Sequence, residues 1–263
     1  MKNSRVGFPH ICIRGLCKSY VQAGRSESLE VLRDITLDIE KGEFVTFFGP
    51  NACGKTTLLY VVGGLTPQTK GEVSINGRAP HQTTKGFIFQ NYADSLFPWR
   101  SNIDNLCFPL EITGLPKRKR RERARQFLSS LGVKLPLAGF PYELSGGQQQ
   151  LLAIVRALIY DPDCMLMDEP FGSLDYQTRL SMQITLLDLW SKTGKTIVFV
   201  SHEIDEAIFL ADRLVLLSNK PTRIMDILKV DLPRPRSHEI IESHEFVRLK
   251  TQALRIFKQA VYE

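Results

Sequence analysis

The segment with the clearest chemical potential reads glycine, four variable positions and then Gly-Lys-Thr. Backbone N–H groups in such a turn converge on phosphate oxygens, and the N-terminus of a following helix adds partial positive charge. We predict that Lys55 contacts the β- and γ-phosphates of a nucleotide and that the Thr56 hydroxyl binds Mg²⁺. This segment, called the phosphate loop below, comprises Gly49, Pro50, Asn51, Ala52, Cys53, Gly54, Lys55, Thr56 and Thr57.

The residues around the phosphate loop support this interpretation. Glu43–Phe48 is a short apolar segment rich in β-formers, and Thr57–Val62 is apolar and of helical character. An ordinary tight loop with a surface lysine is the alternative, but a preceding strand and a following helix favour phosphate binding. Cys53 lies near the predicted helix N-terminus, where a thiolate is favoured. We therefore expect alkylation at Cys53 to inactivate the protein and MgATP to protect it.

Two more segments carry groups suited to phosphate chemistry. Met165–Glu169 is an apolar strand ending in two carboxylates, of which Asp168 would hold Mg²⁺ and Glu169 would polarise an attacking water. Alternatively, these carboxylates cap the next helix. Leu144–Gln148 directly precedes a helix and offers a serine hydroxyl and glycine N–H groups to an anion. The chain thus has two predicted phosphate-binding segments.

The composition is that of a soluble globular protein, with 43% apolar and 24% charged residues among 263. No apolar run reaches the roughly 18 residues that span a bilayer, and Met1–Pro9 lacks the apolar core of a signal peptide. We therefore expect a cytosolic protein. The five scattered cysteines indicate neither a disulfide framework nor a zinc site. The net charge of +6 suits nucleic acid or an anionic membrane surface, and much of it lies in residues 117–125.

The order of predicted elements indicates an α/β fold. Alternating β segments dominate the first part of the chain, with Asn76-Gly77 as a hairpin signal, and strands then alternate with helices after residue 160. We predict a phosphate-loop ATPase core with a mostly parallel sheet, an N-terminal antiparallel β-subdomain and an inserted α-helical subdomain at about 91–160. This domain spans 11–232. The tail at 233–263 is predicted to be helical, with one apolar stripe formed by Ile240, Val247, Leu254 and Val261.

The order of the motifs resembles that of the ATP-binding subunits of ABC transporters, over about Ile11–Leu232. A single tyrosine upstream, Tyr20, stands where that family has an aromatic residue that stacks on adenine, although a tyrosine at a strand end is as often an edge residue. After the phosphate loop come Gln90 (the family's Q-loop), the signature Leu144–Gln148, Asp168-Glu169, Ser173–Asp175 (the D-loop) and His202.

The resemblance implies that two cassettes dimerise head to tail and that ATP lies between the phosphate loop of one and the signature of the other. It implies catalytic roles for Glu169, His202 and Gln90, with Thr56, Gln90 and Asp168 around Mg²⁺. His202 would contact the γ-phosphate, whereas an isolated histidine at a helix start would more often be structural. The residues implied to act on the partner's nucleotide, or to couple the two sites, are Ser145, Gly146, Gly147, Gln148 and Asp175.

The sequence resembles in particular the importer ATPases of the nitrate, sulfonate and taurine type. Leu96–Arg100 followed by Asn105, Met167–Gly172 and Ser201–Ala207 carry this likeness. It implies a peripheral subunit at the cytoplasmic face of the cell membrane, coupled to a separate permease and indirectly to a binding protein. Leu96–Arg100 lies in the region that contacts the membrane subunit in relatives, although Trp99 could instead be buried in a turn.

The chain departs from the family pattern at two positions. Ala52 stands where the family often has glycine, and Leu151 stands where an arginine commonly follows the signature. Because neither change removes a catalytic group, we expect them to affect only rates.

Two other functions are less consistent with the sequence. A soluble ABC ATPase could use the basic run at 117–125 to contact nucleic acid. Translation-type relatives carry two cassettes in one chain, however, and repair-type relatives insert coiled coils or zinc modules, neither of which is present. A plain phosphate-loop kinase would not explain Leu144–Gln148. We therefore expect no nucleic-acid partner.

Overall fold

The computed structural model describes residues 9–21, 28–91 and 95–262, with side chains up to residue 259. Most of Met1–Pro9, on which the signal-peptide interpretation depends, lies outside these ranges, as does the Val261 side chain. The strands are β1 (Ile11–Val21), β2 (Ser28–Ile39), β3 (Phe44–Phe48), β4 (Lys70–Ile75), β5 (Lys85–Ile88), β6 (Cys164–Asp168), β7 (Thr196–Ser201), β8 (Arg213–Leu217) and β9 (Ile224–Lys229). The helices are α1 (Lys55–Val62), α2 (Asn102–Cys107), α3 (Lys117–Leu131), α4 (Gly146–Leu158), α5 (Tyr176–Thr193), α6 (Ile204–Leu210) and α7 (His244–Tyr262).

The larger sheet has six strands in the order β5-β6-β7-β3-β8-β9. Its first five strands are parallel, and β9 is antiparallel to β8. Every residue of β3, β6 and β7 is buried, because helices cover both faces of a parallel sheet. The carboxyl ends of parallel strands lie at the same edge, so the segments that follow β3, β6 and β7 come together there.

The smaller sheet is antiparallel, in the order β2-β1-β4. The prediction of a hairpin at Asn76-Gly77 is wrong, because β4 does not pair with a strand that follows this turn. Both residues do have the positive φ of a tight turn, 53° and 69°. Arg78 then forms only an isolated bridge with Ile75, and the partner of β4 is β1. In β2, Ile35, Leu37 and Ile39 alternate with polar residues, and all three side chains are buried.

The helices α2, α3 and α4 lie between β5 and β6, in the part of the chain where the sequence predicts helices. Helix α3 buries Ala124, Leu128 and Leu131, which recur on one face, and its basic residues lie on the other side. Helix α4 begins at Ser145, whose hydroxyl accepts a hydrogen bond from Gln148 N while the Gln148 side chain accepts from Ser145 N. This capping box sets the start of the helix within the signature segment.

The tail forms helix α7, but the predicted apolar stripe is wrong. Val247 is 50% exposed, and the buried residues are Phe246, Leu249 and Ala253. The short 3₁₀ segment His238–Glu242 separates Ile240 from the helix, so Ile240 does not share its periodicity. One residue of offset turns a helical position by about 100°, which moves Val247 to the outer face. Helix α7 packs on the sheet core, with the Phe257 and Phe48 ring centroids 5.1 Å apart.

None of the helices in the described ranges is both long enough and apolar enough to cross a membrane.

Candidate active site

A cleft of about 480 Å³ opens at the carboxyl edge of the larger sheet. It brings together most of the phosphate loop with groups that follow β5, β6 and β7. The loop thus meets residues far away in the sequence, as the parallel topology predicts. The lining residues are Asn51, Ala52, Gly54, Lys55, Thr56, Thr57, Gln90, Glu169, His202 and Lys220.

The backbone of the phosphate loop is tightly constrained. A Cβ at Gly54, whose φ is 126°, would lie 2.8 Å from Val31 Cγ1, and one at Gly49 would lie 2.9 Å from Leu217 Cβ. Ala52 adopts a φ of 58°, in the left-handed region, which costs an L-residue roughly 1–2 kcal/mol. The alanine therefore keeps the loop conformation that a glycine would adopt more easily.

Lys55 lies in the centre of the phosphate loop. Its Nζ donates hydrogen bonds to Gly49 O at 3.0 Å and Pro50 O at 2.9 Å, and the residue is only 5% exposed. A lysine ammonium has three N–H donors, so one remains for an oxygen of a ligand. The geometry suits an anion seated in the loop.

Asp168 and Thr56 form a site suited to a hard cation. The Thr56 hydroxyl donates to Asp168 Oδ1 at 3.2 Å, and burial raises the pKa of Asp168 to about 6. No lysine or arginine of the described ranges forms an ion pair with this buried carboxylate. A hydroxyl and a carboxylate are ligands that Mg²⁺ takes, and a bound cation would favour the charged carboxylate. No cluster of three or more metal-ligating His, Cys, Asp or Glu side chains occurs among the described residues, so phosphate or water oxygens would complete the coordination.

The Glu169 carboxylate accepts hydrogen bonds through one of its two oxygens. His202 Nδ1–H donates to Glu169 Oε2 at 3.0 Å, and Gln90 Nε2 donates to the same oxygen at 3.4 Å. Within the described residues, no group donates to Oε1. The side chain is 18% exposed, and its backbone has an unusual φ of 45°. Glu169 therefore presents an oriented, solvent-accessible carboxylate oxygen to the cleft, as activation of a water requires.

A buried carboxylate supports the segment before His202. Ser201 Oγ donates to Glu206 Oε2 at 2.5 Å, and Gln183 Nε2 donates to Glu206 Oε1 at 3.0 Å. Burial raises the pKa of Glu206. The hydrogen bonds tie the end of β7 to α5 and α6, so they fix the backbone from which His202 projects. In the sequence, Glu206 stands out only as part of the family-like stretch Ser201–Ala207.

The other predicted site residues lie outside this cleft. Tyr20 lies at the end of β1, paired with Leu29, with the Lys18 ammonium 4.7 Å from its ring. Ser145 and Gly146 are exposed, and Asp175 caps α5 by accepting from Thr178 N at 3.0 Å, which lowers its pKa. Gly147 is buried, and a Cβ there would lie 2.7 Å from Thr178 Cγ2. The second predicted phosphate-binding segment, capped by Gln148, thus does not line the cleft that holds the phosphate loop.

Lys220 also lines the cleft, although it belongs to none of the predicted motifs. It follows β8, the neighbour of β3 on the side away from β7. The signal in the sequence is a lysine shortly after an apolar strand, which does not by itself place the side chain in the cleft.

The reactive thiolate expected at Cys53 is contradicted by the structure. Cys53 is 2% exposed, and burial raises its pKa, although the charges of Lys55 and Lys220 oppose this. Cys12 and Cys17 are half-buried.

We therefore expect an alkylating reagent to modify Cys12 or Cys17 before Cys53, because a buried protonated thiol is a poor nucleophile. Peptide mass spectrometry after limited treatment with iodoacetamide measures the order of modification. The Cys53→Ser variant, as the control, should lose activity at the same rate as the wild type. Preferential labelling of Cys53, prevented by MgATP, would contradict this.

Comparisons with known proteins agree with this geometry. The family model described as ABC transporter matches residues 32–172. A taurine import ATP-binding protein of Pseudomonas aeruginosa is 41% identical over 246 residues, covering 91% of this chain and 92% of that protein. An uncharacterised ABC transporter ATP-binding protein of Methanocaldococcus jannaschii is 43% identical over 235 residues, covering 89% of this chain and 86% of that protein.

Solved structures show the same fold. A dimeric ATP-binding cassette in a post-hydrolysis state, bound to ADP and Pi, superimposes with a TM-score of 0.71 at 30% identity, covering 85% of this chain and 100% of that one. The cbiO1 protein of Clostridium perfringens, part of an ABC transporter complex, has a TM-score of 0.76 at 21% identity. The superposition covers 96% of this chain and 99% of that one. The predicted α/β fold class is confirmed. Family model, relatives and cleft together identify the chain as an ATPase of the ABC transporter family.

Proposed function

We propose that this chain is the ATP-hydrolysing subunit of an ABC importer, working as a head-to-tail homodimer on a separate membrane permease. The observation that carries the proposal is the separation of the two phosphate-binding segments. The cleft holds the phosphate loop, Glu169 and His202, whereas Ser145 is exposed and does not line the cleft. A nucleotide can contact both kinds of segment only if a second cassette supplies the signature.

Each group in the cleft then has a defined role. Lys55 binds the β- and γ-phosphates, and Thr56 with Asp168 would hold Mg²⁺, which would supply positive charge beside the transferred phosphate. Glu169 orients and deprotonates the attacking water through its free oxygen. His202 keeps Glu169 in position and contacts the γ-phosphate. The hydrogen bond of 3.0 Å between His202 and Glu169 supports a shared role in hydrolysis.

The remaining predicted site residues complete the proposal. Gln90 links Glu169 to the helical region and adds to the Mg²⁺ environment, and Tyr20 stacks on adenine. The nucleotide of the partner is contacted by the signature residues Ser145, Gly146, Gly147 and Gln148. Asp175 couples the two sites. Ser145 and Gly146 are exposed at the N-terminus of α4, which supports an anion contact across an interface.

A groove of about 510 Å³ beside α2 supports a docking surface for the permease. Trp99 at its edge is 73% exposed, so the alternative of a buried tryptophan is wrong. Exposed tryptophan and arginine side chains are typical of binding hot spots. The groove is lined by Trp99, Arg100, Ser101, Asp104, Cys107, Glu111, Lys117, Arg120, Arg121 and Phe140.

The basic helix α3 does not favour the nucleic-acid alternative. Arg121 and Lys117 pair with Asp104 at 2.7 and 3.5 Å, and Arg120 pairs with Glu111 at 3.1 Å. These carboxylates neutralise part of the charge run. We therefore assign the groove to a protein partner at the cytoplasmic face of the membrane.

The substrate is proposed to be a small anion such as taurine, another sulfonate or nitrate, in keeping with the taurine importer relative. Uptake of each labelled anion by cells that lack this gene, with and without complementation, tests the proposal. We expect cells that lack the gene to lose the uptake of one of these anions, which a binding protein delivers. Complementation should restore that uptake. Unchanged uptake of all three would contradict the substrate class.

The Trp99→Ala variant tests the docking surface. We expect it to restore less than about a tenth of the wild-type uptake, because a hot-spot truncation weakens association strongly. The ATPase rate of the isolated protein should stay unchanged. Val247→Ala, an exposed apolar side chain on α7, serves as the control and should restore full uptake. Full uptake with Trp99→Ala would remove the groove from the interface.

A further inference from the structure

Lys220 is a cation in the nucleotide cleft that none of the motifs accounts for. It lies in the loop 218–223 between β8 and β9 and is exposed. Among the described residues, no carboxylate forms an ion pair with it. An unpaired ammonium that lines a cleft containing Lys55 is available for an anionic ligand.

The loop that carries Lys220 is attached to the phosphate loop. Thr222, two residues later, is fully buried, and its hydroxyl donates a hydrogen bond to Cys53 O. Its backbone pairs with β2, since Thr222 N donates to Val31 O at 2.8 Å and Arg33 N donates to Thr222 O at 2.9 Å. One hydrogen bond thus ties the 218–223 loop to the phosphate loop and two tie it to β2, so the backbone close to Lys220 is held beside the phosphate loop.

Lys220 approaches the cleft from the side opposite to the catalytic groups. Strand β8 flanks β3 on one side, and β7 and β6, which precede His202 and Glu169, flank it on the other. A phosphate chain seated over Lys55 would thus lie between Lys220 and the pair formed by Glu169 and His202. The charge of Lys220 already acts on the loop, because it opposes the burial that raises the pKa of the Cys53 thiol.

We propose that Lys220 binds the polyphosphate chain of the nucleotide and acts as a second cation beside Lys55. This rests on nucleotide binding at the phosphate loop. ATP brings several negative charges into a cleft that also contains Glu169, so a second ammonium lowers the cost of seating them. The contact is to phosphate, so it does not depend on the base.

Binding of ADP and of a non-hydrolysable ATP analogue by isothermal titration calorimetry tests the proposal. We expect Lys220→Ala to weaken both about tenfold at low salt, Lys220→Glu to weaken them further, and Lys220→Arg to bind nearly as the wild type. The loss should shrink as salt rises, because the contact is solvent-exposed. GDP should show the same loss as ADP.

Lys41→Ala is the matched control, since it removes one exposed lysine at the opposite end of β3. It should bind as the wild type. Wild-type affinity of Lys220→Ala at low salt, an equal loss in Lys41→Ala, or a loss confined to ADP and absent for GDP would overturn the proposal. The Lys55→Ala variant distinguishes failure of the Lys220 proposal from failure of the phosphate-loop assignment. If Lys55→Ala binds nucleotide normally, the phosphate-loop assignment itself fails.

Discussion

Replacing Glu169 with glutamine is expected to lower the ATP turnover number about 10²–10⁴-fold while nucleotide binding survives. Glutamine keeps the shape of the side chain and can still contact His202 and Gln90. It loses the charge and the basicity that the free oxygen Oε1 provides for the attacking water. Steady-state phosphate release, together with calorimetric ATP affinity, separates the two effects.

The same variant should accumulate as an ATP-bound dimer. ATP is expected to hold two cassettes together and hydrolysis to release them, so slow hydrolysis prolongs the dimer. Size-exclusion chromatography with and without ATP, at low Mg²⁺ or with the permease present, measures this.

Glu72→Gln, an exposed position on β4, is the control and should behave as the wild type. Wild-type turnover in Glu169→Gln would remove Glu169 from the mechanism. ATP binding without dimerisation, even with the permease, would count against a site shared with Ser145.

The core of the site was predictable because its principal side chains follow apolar runs. Lys55, Glu169 and His202 come after β3, β6 and β7, and strands alternating with helices indicate a parallel sheet. In such a sheet these segments must meet at one edge. Local spacing and topology were therefore sufficient to place them in one cleft.

The position of Lys220 could not be derived in the same way. It depends on Thr222, which bonds to Cys53 and pairs with Val31, positions far away in the sequence. The burial of Cys53 likewise results from packing between distant segments. Spacing alone indicated a helix N-terminus near Cys53 but not the environment of its thiol.

The rotation of helix α7 about its axis also could not be predicted from the sequence. The residues Ile240, Val247 and Leu254 recur every seven positions, but so do Phe246 and Ala253, one residue earlier. Packing against Phe48 and the rest of the core selects the second set. An apolar period fixes a helix without fixing its rotation when two neighbouring stripes are both apolar.

Removing the ammonium of Lys55 is expected to reduce ATP turnover about 10²–10³-fold and to weaken nucleotide binding strongly. Lys55→Ala shortens the side chain, and Lys55→Met fills most of its volume without the charge. If the charge on the phosphates is what matters, both variants should lose ATP binding to a similar extent.

The hydrogen bonds of Lys55 to Gly49 O and Pro50 O raise a structural alternative, in which the lysine merely ties the loop together. Lys85 offers a matched control outside the cleft, because its Nζ also donates to a backbone carbonyl, Thr83 O at 2.8 Å. Lys85→Met should retain nucleotide affinity. Thermal unfolding without nucleotide should show similar midpoints for the Lys55 variants and the wild type, since burying an unpaired ammonium offsets the gain from its two hydrogen bonds. A folded Lys55→Met protein that binds ATP as the wild type does would show that the ammonium does not bind phosphate, and the whole assignment of the cleft would then fail with it.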